Sequence, residues 1–126
     1  MSVVAFGCDL VVERGPDWLI VRVRNLDLSE SDCPPIADRV WSLMEQHFTH
    51  RLVLELDQVP MINGRLIGQL MQLYRLIAEH DGVMRLCGLS ASNRKVLHQC
   101  RLDERLPPYE DRYGAVLGNS GPHWPR

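Results

Sequence analysis

Among the side chains in this sequence that could do chemistry, the most suggestive is a serine that follows a strand-like run. Residues 88–92, Gly-Leu-Ser-Ala-Ser, resemble the G-x-S-x-G turn that exposes a nucleophilic serine. The final glycine is missing, however, and only His98 and His123 follow the serine as candidate bases. A serine just before a helix more often caps it, because its hydroxyl accepts a hydrogen bond from an otherwise unpaired backbone N–H. The pattern therefore favours a helix cap, by Ser90 or Ser92, over an enzyme that uses Ser90 or His98.

Histidines and cysteines, the usual ligands of transition metals, show no metal-site spacing in this sequence. His47 and His50 are three residues apart, but no carboxylate pair accompanies them and the helix expected there ends nearby. His98 lies two residues before Cys100, a pattern that is weak alone, and no two cysteines have the spacing of a zinc site. The cysteines are Cys8, Cys33, Cys87 and Cys100. We therefore expect reduced thiols, no metal and no cofactor.

The acidic side chains and the glycines do not complete an active site either. Glu55 lies between Leu54 and Leu56 in an apolar run, and Asp57 closes that run. Glu55 could be a buried acid, but the ordinary expectation is a position at a sheet edge or sheet end, in contact with water. Neither G-x-G-x-x-G nor G-x-x-x-x-G-K occurs, so no glycine-rich phosphate loop is present. By its own residues the chain lacks the features of an enzyme.

The composition fits one ordinary globular domain. The chain has 126 residues, of which 45% are hydrophobic, and this length allows a core without metal or disulfide support. Its net charge of -2 gives no electrostatic reason to bind nucleic acid. No signal peptide is visible, no apolar run is long enough to span a bilayer, and no N-x-S/T sequon occurs. These features predict a cytoplasmic protein without a membrane span.

The spacing of apolar residues predicts the elements of the first half. Two β-branched runs, residues 8–14 and 18–24, flank Gly15-Pro16-Asp17 and predict a hairpin. A polar connection then ends in two prolines, and intervals of three to five residues trace one helical stripe. The apolar members of that stripe are Ile36, Val40, Leu43, Met44 and Phe48. Residues 52–56, nearly all apolar, predict a central strand covered on both faces.

The second half continues the alternation of strand and helix. A second helical stripe is expected to end before Asp81-Gly82. Its apolar members are Leu66, Leu70, Leu73, Tyr74 and Ile77. Residues 83–87 predict a further strand, and a third helix follows, with a buried stripe formed by Val96, Leu97 and Cys100. A short last strand is expected near Leu106, and residues 119–126 are expected to be a frayed tail.

The predicted element order is β-β-α-β-α-β-α. Strands that alternate with helices after a hairpin predict an α/β fold, with a mixed β-sheet, an opening hairpin and helices packed on it. No repeat and no second domain is visible. We expect a single domain over residues 1–113 and a C-terminal tail over residues 114–126.

The run LELDQVPMINGRLIGQL, residues 54–70, resembles the signature of the STAS domain, the fold of bacterial anti-sigma factor antagonists. That signature reads hydrophobic-Asp-hydrophobic-Ser-x-Val-x-x-Ile-Asp-Ser-Ser-Gly-Leu-Gly-x-Leu. The positions that keep its register are Leu54, Leu56, Val59, Ile62, Gly68 and Leu70. The resemblance covers about residues 8–113, and the predicted element order agrees with it.

This resemblance implies a small domain that binds partner proteins and has no activity of its own. Well-known members of the family capture an anti-sigma factor that is also a serine kinase, which frees the sigma factor for transcription. The kinase phosphorylates the first serine of Asp-Ser-Ser-Gly, at the start of the second helix. A phosphate adds about -1.5 to -2 charge, which weakens a tight interface by repulsion and desolvation.

The sequence departs from the family at the phosphorylated serine. Carried over by position, the family's aspartate falls on Asn63, the phosphorylated serine on Gly64 and the next serine on Arg65. Gly64 has no hydroxyl and cannot accept phosphate, whereas Asn63 keeps the ability to cap a helix. Arg65 adds a cation where a cation is mildly unfavourable to the helix dipole. Two interpretations of Arg65 stay open: contact with an acidic group of a partner, and a solvated side chain.

The leading hypothesis is a protein-binding module that resembles an anti-sigma factor antagonist and has lost the usual serine switch. The resemblance implies an anti-sigma factor or a serine kinase-like protein as the partner. The expected contact residues are Asn63, Gly64, Arg65, Gln69 and Gln72. The alternative is a STAS module of a transport or ligand-sensing assembly, which a lost phosphosite also fits. The oligomeric state stays open, as does phosphorylation at Ser90, Ser92 or another hydroxyl.

Overall fold

The computed structural model describes residues 2–5, 8–26 and 35–118, and the fold is given for these residues. The strands are β1 (Ser2–Ala5), β2 (Cys8–Arg14), β3 (Leu19–Arg24), β4 (Arg51–Glu55), β5 (Val83–Cys87) and β6 (Pro108–Tyr109). The helices are α1 (Ile36–Gln46), α2 (Gly64–Glu79), α3 (Ala91–Gln99) and α4 (Arg112–Leu117). The predicted order is present, with β1 added before it and with β6 and α4 after α3.

The six described strands form one sheet, in which they follow the order of the chain. The neighbours β1–β2 and β2–β3 are antiparallel, and the pair β2–β3 is the predicted hairpin. The pairs β3–β4, β4–β5 and β5–β6 are parallel. Helices α1, α2 and α3 supply the crossovers that parallel neighbours require. The predicted α/β fold with a mixed sheet is confirmed.

Both faces of the central strand β4 are covered. Leu52 and Leu54 are buried in the larger apolar cluster, together with side chains of α1, α2 and α3. Val53 points the other way and is buried in a smaller cluster with Ala115 of α4. Three helices therefore pack on one face of the sheet and α4 packs on the other. This explains why β4 is a nearly continuous apolar run rather than an alternating one.

Helix α2 begins and ends as its sequence predicts. Asn63 has an extended backbone, and its side-chain oxygen accepts a hydrogen bond from the Leu66 N–H at 3.0 Å. The buried residues of α2 are Leu66, Leu70, Leu73 and Ile77, which is the predicted stripe except for the half-buried Tyr74. The helix ends at Glu79, and Asp81 has a φ of 58°, a left-handed conformation that aspartate tolerates.

Two predicted core positions are wrong, because each lies just beyond the end of a helix. Phe48 is 92% exposed. Helix α1 ends at Gln46, and the φ of 53° at Phe48 turns its side chain away from the helical stripe. Cys100 is exposed as well, because it follows the last residue of α3. The residues that α3 does bury are Asn93 and Leu97.

The C-terminal part of the described chain is more regular than expected. Strand β6 forms shortly after Leu106, close to the predicted last strand. Helix α4 is capped by Asp111, crosses residue 113 and buries Ala115. The expected domain boundary at residue 113 stays a prediction. The expected frayed tail, residues 119–126, lies outside the described residues, as does most of the polar connection before α1.

Candidate partner-binding surface

The loop between β4 and α2, residues 56–63, is held by a buried asparagine of α3. The side-chain oxygen of Asn93 accepts a hydrogen bond from the Ile62 N–H at 2.9 Å. The side-chain nitrogen of Asn93 donates to the Val59 carbonyl at 3.0 Å. Asn93 is only 1% exposed, and the side chains of Val59 and Ile62 are buried as well. The loop is therefore fixed by both polar and apolar contacts.

Ser90 fixes the start of α3 and, with it, the position of Asn93. The Ser90 hydroxyl oxygen accepts a hydrogen bond from the Asn93 N–H at 3.1 Å. A helix cap at this junction is confirmed, and Ser90 rather than Ser92 provides it. Asn93 itself is missing from the sequence-based prediction. The sequence does show that Asn93 lies three residues after a serine that can cap α3. It does not show which groups the Asn93 side chain contacts.

The loop presents one large apolar side chain beside the predicted contact residues. Met61 is 66% exposed, although the neighbouring Ile62 is buried. Asn63 is half-buried because it caps α2, whereas Gly64 and Arg65 are exposed. The structure therefore brings the three predicted residues together at one helix start and adds Met61, which sequence reasoning missed.

Two glycines keep the exposed face of α2 flat. Gly64 and Gly68 are one helical turn apart, and both are exposed. Among the residues that the structure describes, no side chain and no backbone outside α2 lies within 4 Å of a Cβ atom built on either. Glycine inside a helix costs about 0.5–1 kcal/mol relative to alanine, and within residues 2–5, 8–26 and 35–118 no close contact accounts for it at Gly68. At Gly64 too, an added Cβ atom has open space among the described residues.

The two glutamines predicted to contact a partner have different environments. Gln72 is exposed on α2. Gln69 is half-buried, and its side-chain oxygen accepts a hydrogen bond from the Ala37 N–H at 3.0 Å. That bond satisfies a backbone donor at the start of α1, where Pro35 gives no side-chain cap. This side chain joins α2 to α1, and its contact with a partner stays a prediction. We define the α2 entry surface by its exposed residues Met61, Gly64, Arg65, Gly68 and Gln72.

Glu55, at the end of β4, is a buried acid, which is the less ordinary of the two environments that the sequence left open for it. It is 6% exposed. Its carboxylate accepts hydrogen bonds from Arg22 Nε at 3.0 Å and from Arg112 Nη2 at 2.7 Å and Nε at 3.1 Å. Arg112 also pairs with Glu13, and Arg22 also pairs with Asp57 at 3.2 Å. The network joins α4 to the sheet and to Asp57 of the loop before α2.

The acidic surroundings of this network affect two titratable groups. Burial raises the pKa of the Glu55 carboxyl, the charge of Arg22 lowers it, and the charge of Asp57 raises it. Burial, followed by the charges of Glu55 and Asp57, raises the pKa of the Cys87 thiol to about 12. Cys87 is therefore a protonated thiol near neutral pH, unsuited to nucleophilic attack or metal binding.

The other residues considered for chemistry have separate structural contacts. His47 is the C-cap residue that follows α1, whereas His50 stacks on Trp41 with ring centroids 5.6 Å apart. His98 pairs with Asp103 at 2.8 Å. Within the part of the chain that the structure describes, no group of three or more histidine, cysteine or acidic side chains could hold a metal ion. Cys33 lies outside the described residues.

Comparison with known families identifies the family to which this chain belongs. The family model of the STAS domain matches residues 9–115, most of the chain. The chain belongs to the STAS domain family. The match includes the whole β4–α2 segment, so the α2 entry surface lies at the position of the STAS signature. A search of curated protein sequences gave no match.

Several solved structures share the STAS fold with this chain at low sequence identity. An anti-sigma factor antagonist from Mycobacterium paratuberculosis has 18% identity and a TM-score of 0.69, over 89% of this chain and 93% of that one. An RsbS variant from Moorella thermoacetica has 13% identity and a TM-score of 0.70, over 86% and 92% of the two chains. A chain of the stressosome, a signal integration and transduction hub, has 11% identity and a TM-score of 0.65, over 86% and 94%.

The described helices were also compared with the dimensions of a bilayer. Among residues 2–5, 8–26 and 35–118, no helix combines the length and the apolar composition needed to cross a membrane.

Proposed function

We propose that this STAS domain is a non-catalytic binding module that acts in the manner of an anti-sigma factor antagonist. Its α2 entry surface contacts an anti-sigma factor or a serine kinase-like protein. The observation that carries this proposal is the exposed Met61, held in place by the buried Asn93 beside the helix start that bears the STAS signature. The anti-sigma factor antagonist among the structural neighbours supports the same kind of partner.

The chemistry of the α2 entry surface supports protein binding. Met and Arg are enriched in protein–protein interfaces, and Met61 and Arg65 are both exposed here. Gly64 and Gly68 leave the helix backbone accessible, so a partner can approach α2 closely. A surface of this kind buries apolar area and backbone without the positioned acid, base or nucleophile that an enzyme needs.

The first test measures binding to the serine kinase-like anti-sigma factors encoded in the same genome, each purified and titrated by calorimetry. We expect one of them to bind, and we expect Met61→Asp and Arg65→Glu each to weaken that binding about tenfold or more. Phe48→Asp is the matched control. Phe48 is also exposed and apolar, but it precedes β4, whereas Met61 follows β4. Absence of binding to every candidate, or equal binding by all variants, contradicts the proposal.

The second test concerns the missing hydroxyl. We expect the bound kinase not to phosphorylate the start of α2 in the natural chain, because Gly64 has no acceptor oxygen. Gly64→Ser restores the hydroxyl at a position with room for it, so phosphorylation of this variant is expected, with weaker binding as the result. Mass spectrometry of the peptide that contains residue 64 provides the measurement. A phosphate elsewhere in the natural chain that releases the partner would show that another hydroxyl had taken over the switch.

A second candidate function is small-ligand sensing, which one cavity favours. An apolar groove of about 290 Å³ lies between the β2–β3 hairpin and α4, with Trp18, Ile20 and Val116 in its walls. Its volume is at the lower end of the range for ligand pockets, about 300 Å³. Titration with the apolar dye ANS tests it. Saturable fluorescence that Val116→Asp removes would support a ligand site, whereas unsaturable or unchanged fluorescence would dismiss it.

A further inference from the structure

A further cavity lies at the end of the sheet where β4 begins. Its walls come from the β2–β3 turn and from the connection between α1 and β4, and its volume is about 280 Å³. This volume is near the lower end of the range for small-molecule pockets, about 300 Å³. Unlike the apolar groove beside α4, it has mostly polar walls. We define this turn cavity by its lining residues Arg14, Asp17, Trp18, Thr49 and Arg51.

The guanidinium group of Arg51 is held by an aromatic ring rather than by a carboxylate. Its Cζ atom lies 4.5 Å from the centroid of the Trp18 ring. Trp18 is only 5% exposed, so the ring that supports Arg51 is fixed in the protein. Stacking on an aromatic face leaves the N–H groups at the edge of a guanidinium able to donate hydrogen bonds. Arg51 therefore brings oriented donors and a positive charge to the turn cavity.

Arg14 lies in the wall of the same cavity and also has a neutral partner. Its Nη1 donates a hydrogen bond to the His47 carbonyl oxygen at 2.7 Å, just after the end of α1. That bond uses one of the five N–H groups of the guanidinium. Arg14 is therefore positioned by a backbone group, and its remaining donors are available to a ligand.

The positive charge of these two arginines is not neutralised within the part of the chain that the structure describes. Neither Arg14 nor Arg51 has a described carboxylate within ion-pair distance. Among the described residues, Asp17 is the one carboxylate that lines the cavity, and it pairs with neither arginine. The arginines of the Glu55 network, by contrast, are bonded to carboxylates. The turn cavity therefore offers two fixed cations to an anion from outside the protein.

We propose that the turn cavity binds the phosphate group of a small molecule, with Arg14 and Arg51 as the residues that hold it. A phosphate monoester carries about two negative charges near neutral pH, which two guanidinium groups match. Arginine also donates to phosphate oxygens through two parallel N–H groups, which fixes the orientation of the phosphate. The Thr49 hydroxyl accepts from the Arg51 N–H at 3.3 Å, and its own proton is a further donor for a phosphate oxygen.

A single phosphate group fits this cavity better than the backbone of a nucleic acid does. Proteins that bind duplex DNA commonly neutralise about 6–10 phosphates, whereas the turn cavity holds two arginines. The enclosing walls also suit a small molecule rather than a long strand.

The turn cavity is separate from the α2 entry surface. Arg51 is the first residue of β4, and the loop before α2 follows the last one. A strand of five residues spans about 13 Å, so the two sites lie at opposite ends of β4. The inference therefore goes beyond the proposed function and does not rest on it. Partner binding and phosphate binding are measured separately, and either one stands if the other fails.

The test titrates inorganic phosphate and glycerol 3-phosphate into the ¹⁵N-labelled full chain at constant ionic strength. We expect saturable amide shifts in residues 14–18 and 48–51, and weaker binding of acetate, which carries a single charge. Tighter binding of glycerol 3-phosphate identifies a phosphate ester as the ligand, and equal binding identifies the phosphate group alone. No saturable shift in these segments at millimolar ligand, or acetate that binds as tightly as phosphate, overturns the inference.

Arginine variants separate the cavity from a general effect of charge. Arg14→Gln and Arg51→Gln are each expected to weaken phosphate binding about tenfold or more. Arg51→Lys keeps the charge but not the paired donors, so its affinity is expected to lie between those of Arg51→Gln and the natural chain. Arg94→Gln is the control. Arg94 is exposed and follows Asn93, which bonds to the loop at the other end of β4, so a change of less than about twofold is expected. Equal losses from Arg51→Gln and Arg94→Gln overturn the inference.

Asp17→Asn tests the sign of the electrostatic effect. It removes the carboxylate from the cavity wall, so phosphate binding is expected to become about twofold to fivefold tighter, with a smaller gain at high salt. A variant that merely disturbed the turn would not bind more tightly. Unchanged or weaker binding by Asp17→Asn, with an otherwise natural spectrum, overturns the inference.

Discussion

A single buried asparagine decides where the α2 entry surface lies. Asn93 satisfies the Ile62 N–H and the Val59 carbonyl, two backbone groups of a loop that has no regular secondary structure. Backbone groups without a partner are costly when they are buried. The Asn93 side chain therefore gives this loop the hydrogen-bond partners that a neighbouring strand gives to a strand in a sheet. The exposed position of Met61 depends on it.

Asn93→Ala is expected to lower the free energy of unfolding by about 2–4 kcal/mol, because it leaves two buried backbone groups without partners. Urea unfolding measures this loss. Ser92→Ala, at the exposed neighbouring position, is the control and is expected to change stability by less than about 0.5 kcal/mol. Similar losses for the two variants would mean that the contacts of Asn93 contribute little.

The cysteines are expected to differ sharply in reactivity. With a pKa of about 12, Cys87 is a thiolate in only about one molecule in ten thousand at pH 8. Cys100 is exposed, so iodoacetamide at pH 8 should alkylate it and leave Cys87 unmodified in the folded protein. Peptide mass spectrometry checks the pattern, and denaturation before alkylation is the control. Rapid alkylation of Cys87 in the folded state would contradict the burial that raises its pKa.

Helix α2 combines a well-formed start and buried face with an exposed face that is poor for helix stability. The Asn63 cap and the leucine stripe stabilise it, whereas Gly68 lowers helix propensity at a position with open space around it. An exposed glycine without an internal reason is consistent with close approach by a partner. The stability of α2 therefore comes from its buried face, and its exposed face is open to selection for binding.

Gly68→Ala is expected to raise the free energy of unfolding by about 0.5–1 kcal/mol, because the added methyl has open space among the described residues and the unfolded chain loses freedom. Gly82→Ala is the matched variant for which a change in stability of the opposite sign is expected. A Cβ at Gly82 would lie 2.2 Å from the His50 carbonyl oxygen, so a loss of about 1–3 kcal/mol is expected. Urea unfolding of both variants measures the sign of each change in the free energy of unfolding. A loss at Gly68 would show that this glycine has an internal structural role.

In the part of the chain that the structure describes, three helices cover one face of the sheet and the short helix α4 covers the other. Helix α4 has six residues, too few to be stable alone. Ala115 and Arg112 attach it, the first by apolar burial and the second by its contacts with Glu55 and Glu13. Arg22 and Arg112 both bond to the buried Glu55 carboxylate and together compensate its charge. The side chain that attaches α4 thus also stabilises the centre of the sheet.

Arg112→Ala is expected to lower the free energy of unfolding by about 2–4 kcal/mol, because the buried Glu55 carboxylate keeps only one arginine. Hydrogen exchange of the α4 amides should increase as well, since the helix loses its ionic attachment. Tyr113→Ala, at a neighbouring position that is 73% exposed, is the control for a truncation in the same helix. A loss as small as that of the control would show that the network contributes little to stability.

The features that the sequence by itself determined depend on residues close together along the chain. The β2–β3 hairpin, the buried stripe of α2, the Asn63 cap and the lost hydroxyl at Gly64 could all be predicted from turn residues, apolar periodicity and the STAS signature. Such signals are local, because a helix or a hairpin is specified within about twenty residues.

Contacts between distant parts of the chain were decided by the tertiary structure alone. Gln69 reaches α1, Asn93 reaches the loop before α2, and Glu55 meets Arg112 across 57 positions of sequence. In the sequence, each of these polar residues stands at a position that an ordinary surface residue could also occupy. Its partner is a backbone group or a charge that only folding brings near, so no periodic pattern can reveal the pair. For the same reason the exposure of Met61, the feature that carries the proposed function, could not be predicted from its place in the sequence.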